Sequence, residues 1–348
     1  MAEIDKTTNQ SGPAVLLQSS PHIASTADTR TLMGHVLISL APASIFGVVI
    51  FGIPALANIL IAVASAVAAE TVFRLLIGKE NRAGDLSAAV TGLLLALIIP
   101  PVTPLWITAL GAVFAVIVAK EFFGGLGANV FNPALVGRAF LIMSFPLAIT
   151  TWLKPLGGGP GTGTPESITG ATPLGIIKLG GAVTDVGRDF AASGLSASPD
   201  YWDTMKTLFV GNHGGCIGET SILLILAGGI YLLLTKTIDW RAPGAMIAGT
   251  VIGALALGMD PLFTLFSGGI LFGAVFMVTD YVSAPVTARG KLIFGFGAGI
   301  ITVLIRKWGS YPEGVTYGIL IMNALTPFLN RLLQKKYGFV PKKKEGTK

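Results

Sequence analysis

The polar residues of this sequence whose types and spacing suit chemistry are few, and the most unusual group lies in ESITGATPLG, Glu166 to Gly175. Pro173 biases Thr172 toward an extended backbone, and Gly170 permits a turn just before it. The glycine-rich stretch LGGGPGTGTPE upstream is flexible and is expected to leave the segment accessible. An exposed threonine in such a turn either accepts a covalent modification or has no role, and the residues alone favour no role.

Two glycine-rich turns precede apolar segments, FFGGLGANVFNP (Phe122 to Pro133) and GNHGGCIGETS (Gly211 to Ser221). Neither follows a strand or contains GxxxxGK[ST], so neither is a phosphate loop of standard spacing. Each would bring backbone N–H groups to a helix N-terminus, where a polar or anionic ligand can bind. A turn that merely starts a helix explains both equally well.

Several ionisable residues lie in or beside apolar segments, where an unpaired charge is costly. Glu70 and Arg74 stand four apart and are expected to form a local ion pair. Asp85 precedes an apolar run and is expected to cap a helix. Arg138 either snorkels or meets an anion or a carbonyl group. Asp280 follows its apolar segment, where the helix dipole disfavours a carboxylate, so we expect it to have a buried partner.

Metal and nucleic-acid chemistry find little support in the sequence. Cys216 is the single cysteine, which excludes an internal disulfide and a Cys-ligated iron–sulfur cluster held by this chain alone. His22, His35 and His213 lie far apart, and neither HExxH nor a Cys/His metal spacing is present. The formal charge of +6 is concentrated in short connections and the C-terminal tail, so it does not indicate nucleic-acid binding.

The elements that must position these residues are membrane helices. Of the 348 residues, 52% are hydrophobic and 12% are charged, about half the usual charged fraction of soluble domains. Apolar runs of membrane length therefore predict an all-α polytopic membrane protein with about ten transmembrane helices. The segments cover residues 33–51, 54–76, 86–102, 104–121, 133–150, 219–236, 242–259, 262–280, 291–308 and 315–334.

Basic residues in the short connections predict the orientation. Seventeen Lys and Arg residues fall on the side that holds both termini, against only Arg306 and Lys307 in the opposite short connections. Both termini are therefore expected in the cytoplasm, and the long polar segment on the outer face. The predicted division is a cytoplasmic arm 1–32, a first five-helix half 33–150, an outer-face loop 151–218, a second five-helix half 219–334 and a basic cytoplasmic tail 335–348.

Residues 1–30 are polar, with Pro13 and Pro21 and no apolar stretch typical of a signal peptide, so we expect none. The tail, KKKEGTK at Lys342 to Lys348, is expected to touch anionic membrane lipid or a partner protein.

Five segments per half is an odd number, so related halves would have to be inverted in the membrane. Gly92 is followed twelve residues later by Pro104, and Gly273 twelve residues later by Pro285. Chance similarity in a sequence rich in Gly and Pro is a rival explanation. Three pairs of glycines four residues apart are expected to serve close helix packing: 249/253, 269/273 and 295/299.

Seven short strings occur in a specific order along the chain. They are SPHI, DLSAAVTGLLLALIIPP, GGLGANVFNPALVGRAF, TGATPLG, GCIGETS, VTDYVSAPVT and YPEGVTYGILIMN, running from Ser20 to Asn323. In these strings the chain resembles the RnfD family, a membrane component of the Rnf complex, which is the ion-translocating ferredoxin:NAD oxidoreductase. It is more distantly similar to the NqrB family, a membrane component of the sodium-pumping NADH:quinone reductase.

The resemblance implies a covalent flavin. In the family, the last Thr of a [S/T]GAT string carries FMN through a phosphodiester bond, and that residue here is Thr172. A separate flavin transferase attaches the FMN, using FAD and magnesium. Glu166 stands where the family motif mostly has Asp, which keeps the charge but lengthens the side chain by one methylene. The resemblance also places this flavin on the outer face.

The resemblance further implies a second, non-covalent flavin, riboflavin, within the transmembrane part. The matching motifs place Asn129, Asn132 and Asp280 at that site, with the asparagines beside Phe131 supplying a polar edge and an aromatic face. Cys216 falls where the family often has a small residue such as Ser, and we interpret it as a substitution.

By this resemblance the chain would relay electrons between flavins, from reduced ferredoxin to NAD, coupled to Na⁺ or H⁺ movement across the inner (plasma) membrane of a prokaryote. It has no visible site for ferredoxin or NAD and no catalytic residues of its own, so those functions belong to the other components of the Rnf complex, A, B, C, E and G. No resident metal and no nucleic-acid partner are expected.

Two other classes of function remain open at this point. A channel or secondary transporter without redox activity would suit five-helix halves and mid-span glycines, but it makes no use of TGAT. A scaffold that only holds partner proteins would not depend on Thr172.

Overall fold

The structure is a computed structural model that describes residues 28–80, 82–153, 172–192, 198, 200–211, 213–309 and 311–333. Its regular elements over these residues are helical. The first half contains α1 Thr29–Phe51, α2 Ile53–Leu76, α3 Ser87–Leu97, α4 Leu105–Ile117, α5 Pro133–Ser144 and α6 Pro146–Ile149. Next come α7 Pro173–Lys178, α8 Val183–Ala192 and α9 Tyr201–Val210. The second half contains α10 Ile222–Leu234, α11 Arg241–Ala256, α12 Pro261–Phe266, α13 Ile270–Phe272, α14 Ala288–Trp308 and α15 Val315–Leu333.

Helix lies within every one of the predicted apolar segments, but the helices differ in length. Among the described residues, four helices are long and apolar enough to cross a membrane: Thr29–Phe51, Ile53–Leu76, Leu105–Phe123 and Ala288–Trp308. Others are shorter. The 11 residues of α3 rise roughly 16 Å, about half the hydrocarbon thickness of a bilayer. The short helices therefore end inside the helical bundle.

The prediction of one continuous helix over residues 262–280 is wrong. That segment is divided into α12, α13 and a π-helical turn, Gly273–Met277, that follows α13 directly. Gly268 has a φ of +66°, a left-handed conformation that interrupts a helix and favours glycine. A Cβ on Gly269 would lie 2.3 Å from the Glu219 carboxylate, so the break also makes room for a buried acid.

The polar segment predicted as an outer loop, residues 151–218, instead holds three short helices, α7, α8 and α9, in its described part. Their apolar residues recur at helical spacing and form a small cluster that is separate from the main core. It contains Leu174, Val186, Phe190, Met205, Leu208 and Phe263. Tyr201 donates a hydrogen bond to Asp260 at 3.2 Å, and burial together with this bond raises the pKa of Tyr201 to about 12.

The connections between helices contact one another in two groups. Antiparallel neighbours along the chain produce this pattern, because alternate connections then lie at the same end of the bundle. One group pairs Asn58 with residues 101–103, Lys178 with the end of α14, and Tyr201 with Asp260. The other group pairs Glu70 with Lys120, Asp239 with Lys291, and Val286 with Asn330.

Glycines of α11 and α14 let these two helices approach very closely, as the spacing predicted. A Cβ on Gly295 would lie 2.2 Å from the Ala242 carbonyl oxygen, and one on Gly249 would lie 2.5 Å from the Phe296 carbonyl oxygen. Real Cβ atoms do not approach backbone that closely. The second half is thus built on a helix pair that has no room for a larger residue.

We expect Gly295→Ala to lower the thermal stability of the detergent-solubilised protein, by roughly 1–3 kcal/mol, because the helices must separate. Gly34→Ala in α1 is the matched control, since a Cβ there meets nothing within 4 Å. Thermal unfolding of both variants measures the difference. Equal melting temperatures for the two variants would contradict this account of the packing.

Candidate functional site

A buried network of charges joins α2, the start of α3 and the end of α4. The Lys120 ammonium donates to the Glu70 carboxylate at 2.9 Å and to the Ser87 hydroxyl at 2.6 Å. Arg74 donates to Glu121 at 3.0 Å and lies 3.7 Å from Glu70. The predicted Glu70–Arg74 pair is therefore present, but it is the longer contact in a network that links distant parts of the chain.

Asp85 caps α3 as predicted. Its carboxylate accepts the Ser87 backbone N–H at 2.8 Å and the Ser87 hydroxyl at 2.6 Å. Leu86 between them has a φ of +64°, an uncommon conformation for a residue with a side chain. The start of α3 is thus a strained turn that the buried Lys120 ammonium holds in place.

This network borders a cavity of about 70 Å³, which we call the Asn132 cavity. Asn129, Asn132 and Asp280, which the sequence analysis assigned to one site, all line it. Its other polar and aromatic lining residues are Ser87, Thr91, Lys120, Phe276, Thr279 and Tyr281. Residues from both halves of the chain therefore meet at this point.

Asn132 connects the two halves directly. Its side-chain oxygen accepts the backbone N–H groups of Ala134 and Leu135 and so caps α5, while its amide donates to the Met277 carbonyl at 3.4 Å. The glycine-rich turn before it thus starts a helix and also presents a side chain to the π-helical turn.

Two details of the expected site differ. Asp280 is half-buried, and its partner is local, because it accepts the hydroxyl of Ser283 at 2.6 Å in the following turn. Phe131 is not among the residues that line the cavity, and its carbonyl accepts the amide of Asn129 at 3.1 Å. The aromatic faces at the Asn132 cavity belong to Phe276 and Tyr281.

Arg138 lies at the centre of a second buried cluster. It is only 3% exposed, so it does not snorkel. Its guanidinium forms an ion pair with Glu313, lies 3.8 Å from Glu219 and donates to the Thr316 hydroxyl at 3.3 Å. Of the two alternatives left open by the sequence, an anion is the one found, and the anions are carboxylates of the same chain.

The glycine-rich turn before α10 supplies part of this cluster. Cys216 is fully buried, its thiol donates to the Ile98 carbonyl at 3.1 Å, and its sulfur lies 3.5 Å from the Arg138 guanidinium. Gly218 donates its N–H to the Leu97 carbonyl at 2.7 Å. Cys216, Glu219 and Glu313 place donor atoms within 4.8 Å of one another, but the Arg138 guanidinium already supplies a positive charge among them.

Next to this cluster is a cavity of about 240 Å³, which we call the Thr172 cavity. Its polar and aromatic lining consists of Arg138, Thr150, Trp152, Thr172, Tyr311, Glu313, Thr316 and Tyr317. The rings of Tyr311 and Tyr317 have centroids 6.3 Å apart. Histidine is absent from the described lining of either cavity, and both sets of side chains are suited to binding a ligand with a flat apolar face and polar edges.

The predicted exposure of Thr172 is wrong, although its extended backbone is confirmed, with φ −69° and ψ 157°. Thr172 is 7% exposed, because its side chain caps α7 by accepting the Gly175 N–H at 3.1 Å while Leu174 joins the separate apolar cluster. Glu166 and the rest of the string up to residue 171 lie outside the described residues.

Sequence reasoning missed the partners of the buried cations. Glu219 and Glu313 stand in the strings GCIGETS and YPEGVTYGILIMN, and nothing in their local spacing points to Arg138, which is 81 and 175 residues away. The signal available was the presence of acids in apolar surroundings, which requires a partner somewhere. Tyr311 and Tyr317 were missed for the same reason, since only the fold brings them to Thr172.

The fold and these two cavities define a multi-pass membrane protein that combines long and interrupted helices with buried polar sites. The chain belongs to the NQR2, RnfD, RnfE family, whose model matches residues 16–338. This confirms the resemblance that the ordered strings indicated.

Curated relatives, each named as the D component of its complex, match over most of their length. The chain is 42% identical over 333 residues to that of the Na⁺-translocating ferredoxin:NAD⁺ oxidoreductase complex of Acetobacterium woodii, covering 94% of this chain and 97% of that protein. It is 41% identical to that of the proton-translocating ferredoxin:NAD⁺ oxidoreductase complex of Clostridium ljungdahlii, covering 92% and 96%. It is 40% identical to that of the ion-translocating oxidoreductase complex of Stutzerimonas stutzeri, covering 88% and 91%.

We expect Lys120→Met to destabilise the protein by roughly 3–5 kcal/mol, because Glu70 and Ser87 would lose their buried cation. Lys206→Met is the matched control, since Lys206 pairs with Asp203 on the surface and its side chain is 76% exposed. Thermal unfolding in detergent should show a large loss for the first variant and no measurable change for the second. Similar curves for both variants would show that the network does not support the fold.

Proposed function

We propose that this chain is the flavin-carrying membrane component of an ion-translocating ferredoxin:NAD oxidoreductase. In this role it relays electrons between flavins while other components bind ferredoxin and NAD. FMN is joined to Thr172 through a phosphodiester bond, and a non-covalent riboflavin occupies the Asn132 cavity. A flavin, when bound, supplies one- and two-electron transfer, and the protein sets its position and surroundings.

The observation that carries the proposal is the position of Thr172. The last residue of TGAT lines a cavity with three aromatic residues and a buried arginine, Arg138. The Nε atom of Arg138 has no hydrogen-bond partner among the described residues. A buried donor without a partner is costly, and an acceptor on a bound group would satisfy it. The residues present therefore fit a flavin held at this threonine.

The Asn132 cavity offers a donor set that fits a flavin edge, with two asparagine amides, Ser87 and Lys120. Phe276 and Tyr281 offer aromatic faces. The cavity of about 70 Å³ is smaller than the roughly 300 Å³ of small ligand pockets, so its side chains must move apart to admit a ring. Lys120 and Asn132 would then hold the polar edge of the ring between the two halves of the chain.

We place the Asn132 cavity toward the cytoplasm and Thr172 on the outer face, in the inner membrane of a prokaryote, with both termini cytoplasmic and ten spans. Two observations support this topology. The contacts between connections fall into two alternating groups, and the group that contains α7 also contains the end of α14, where Lys307 and the buried Arg306 leave little exposed positive charge.

The proposed inverted repeat pairs α1–α5 with α10–α15. The second helix of each half packs on the fourth, and the fourth packs on the fifth. Helices that would be symmetry mates, α1 with α10 and α5 with α15, contact each other, as a two-fold axis between them requires. A left-handed residue stands shortly before the third helix of each half, Leu86 and Gly268. Buried cations, Lys120 and Arg306, end the fourth apolar segment of each half.

The proposed partners are the other components of the complex, A, B, C, E and G, together with membrane lipid and, during maturation, a flavin transferase. The coupling ion is Na⁺ or H⁺. Relatives named for each ion are almost equally similar to this chain, at 42% and 41% identity, so overall likeness does not separate the two ions.

Expressed with a flavin transferase and denatured on a gel, the wild-type chain should give a fluorescent flavin band that Thr172→Ala abolishes, because that variant lacks the acceptor oxygen. Thr150→Ala is the matched control, since Thr150 lies at the same cavity but outside the TGAT string. A dark wild-type band beside a bright flavinylated standard would overturn the proposal and favour a non-redox transporter, whose two-part helical halves this fold also suits.

Asn129→Ala should lower the affinity for acid-extractable flavin roughly fivefold, about 1 kcal/mol for one lost hydrogen bond, and leave the covalent band unchanged. The side chain of Asn129 bonds only to a neighbouring carbonyl among the described contacts, so the fold should survive. Asn330→Ala, outside the cavity, is the control. Equal extractable flavin in all three proteins would remove the Asn132 cavity from the proposal.

A further inference from the structure

The Thr172 cavity has more structure than an attachment point requires. Trp152, Tyr311 and Tyr317 supply aromatic surface, and Ile142 and Ile149 supply apolar surface. Its volume of about 240 Å³ approaches the lower end of ligand pockets, roughly 300 Å³. A phosphodiester linkage needs neither aromatic walls nor this depth. The cavity therefore has the shape and chemistry of a receptor for a flat ring.

Three polar residues of the lining form one connected set. Arg138 donates to the Thr316 hydroxyl and pairs with Glu313, and all three residues line the cavity. Arg138 is 3% exposed, and its Nε atom has no partner among the described residues. A ring with carbonyl oxygens along one edge would provide the missing acceptor, whereas a purely apolar occupant would not.

We propose that the Thr172 cavity receives the isoalloxazine ring of the flavin carried by Thr172, with the tyrosine rings against its face and Arg138 donating to a carbonyl of its pyrimidine edge. This inference rests on the proposed function. Because Thr172 itself lines the cavity, the ribityl chain has only to fold back from the linkage. Docking makes and breaks no covalent bond. It removes the ring from water and places it beside a fixed positive charge.

Such docking has two consequences that simple attachment lacks. The Arg138 charge stabilises negative charge in the cavity, because a buried site screens charges weakly. Aromatic contact on the ring face also quenches flavin fluorescence, as stacking brings the ring systems into contact. A flavin that swings freely on Thr172 would show neither effect.

The test uses the full chain, flavinylated at Thr172 and kept folded in detergent, after non-covalent flavin has been measured by acid extraction and subtracted. Native fluorescence should be several-fold weaker than that of the same sample unfolded in SDS. The double variant Tyr311→Leu/Tyr317→Leu should recover most of the difference. Tyr311→Phe/Tyr317→Phe keeps both rings and should remain quenched, and Trp308→Leu, at an exposed position outside the cavity, should not change the signal.

Iodide accessibility of the native wild-type flavin provides a second measurement that does not depend on whether the leucine variant folds. A docked ring should be quenched by iodide several-fold less than free FMN. The inference is overturned if the denatured gel shows covalent flavin while native fluorescence and iodide quenching match those of free FMN. The proposed function itself fails only if no covalent flavin appears on that gel. A cavity filled by lipid would give the first of these results.

Discussion

Three buried cations hold the interrupted helices of this protein together. Lys120 binds Ser87 at the start of α3, and Arg306 donates to the carbonyl groups of Thr264 and Ser267 at 2.6 and 2.9 Å, where α12 ends. Arg138 joins α5 to the residues that precede α10 and α15. Helix ends inside an apolar bundle leave polar backbone groups without water, and each unsatisfied group there costs several kcal/mol. Cations that bind these ends make short helices possible.

The same cations border the two cavities. Lys120 lines the Asn132 cavity and Arg138 lines the Thr172 cavity, so each site takes its charge from a residue that the fold already requires. Carboxylates balance this charge, with Glu70 beside Lys120 and Glu313 beside Arg138. A change in either cavity therefore acts on helix packing as well, because the contacts that hold a ligand and those that hold a helix end share one side chain.

Sequence reasoning predicted the helical architecture and found Asn129, Asn132 and Asp280 together, because local periodicity and ordered motifs carry that information. It also predicted the cap by Asp85 and the packing glycines, which depend on neighbours in sequence or on helical spacing. It did not predict the break at Gly268 or the helices α7 to α9, since an apolar run does not show where a buried acid forces a gap. The ion pairs of Arg138 depend on contacts across more than 80 residues, which only the complete fold defines.

The burial of Thr172 has a consequence in time. Its hydroxyl caps α7 and is 7% exposed, so it is closed off once α7 has seated on its apolar cluster. An enzyme that modifies this oxygen has to reach the chain before that seating, or while the six-residue helix is lifted. Chemistry at Thr172 thus belongs to the biogenesis of the protein, and the order of events is written into the position of one hydroxyl group.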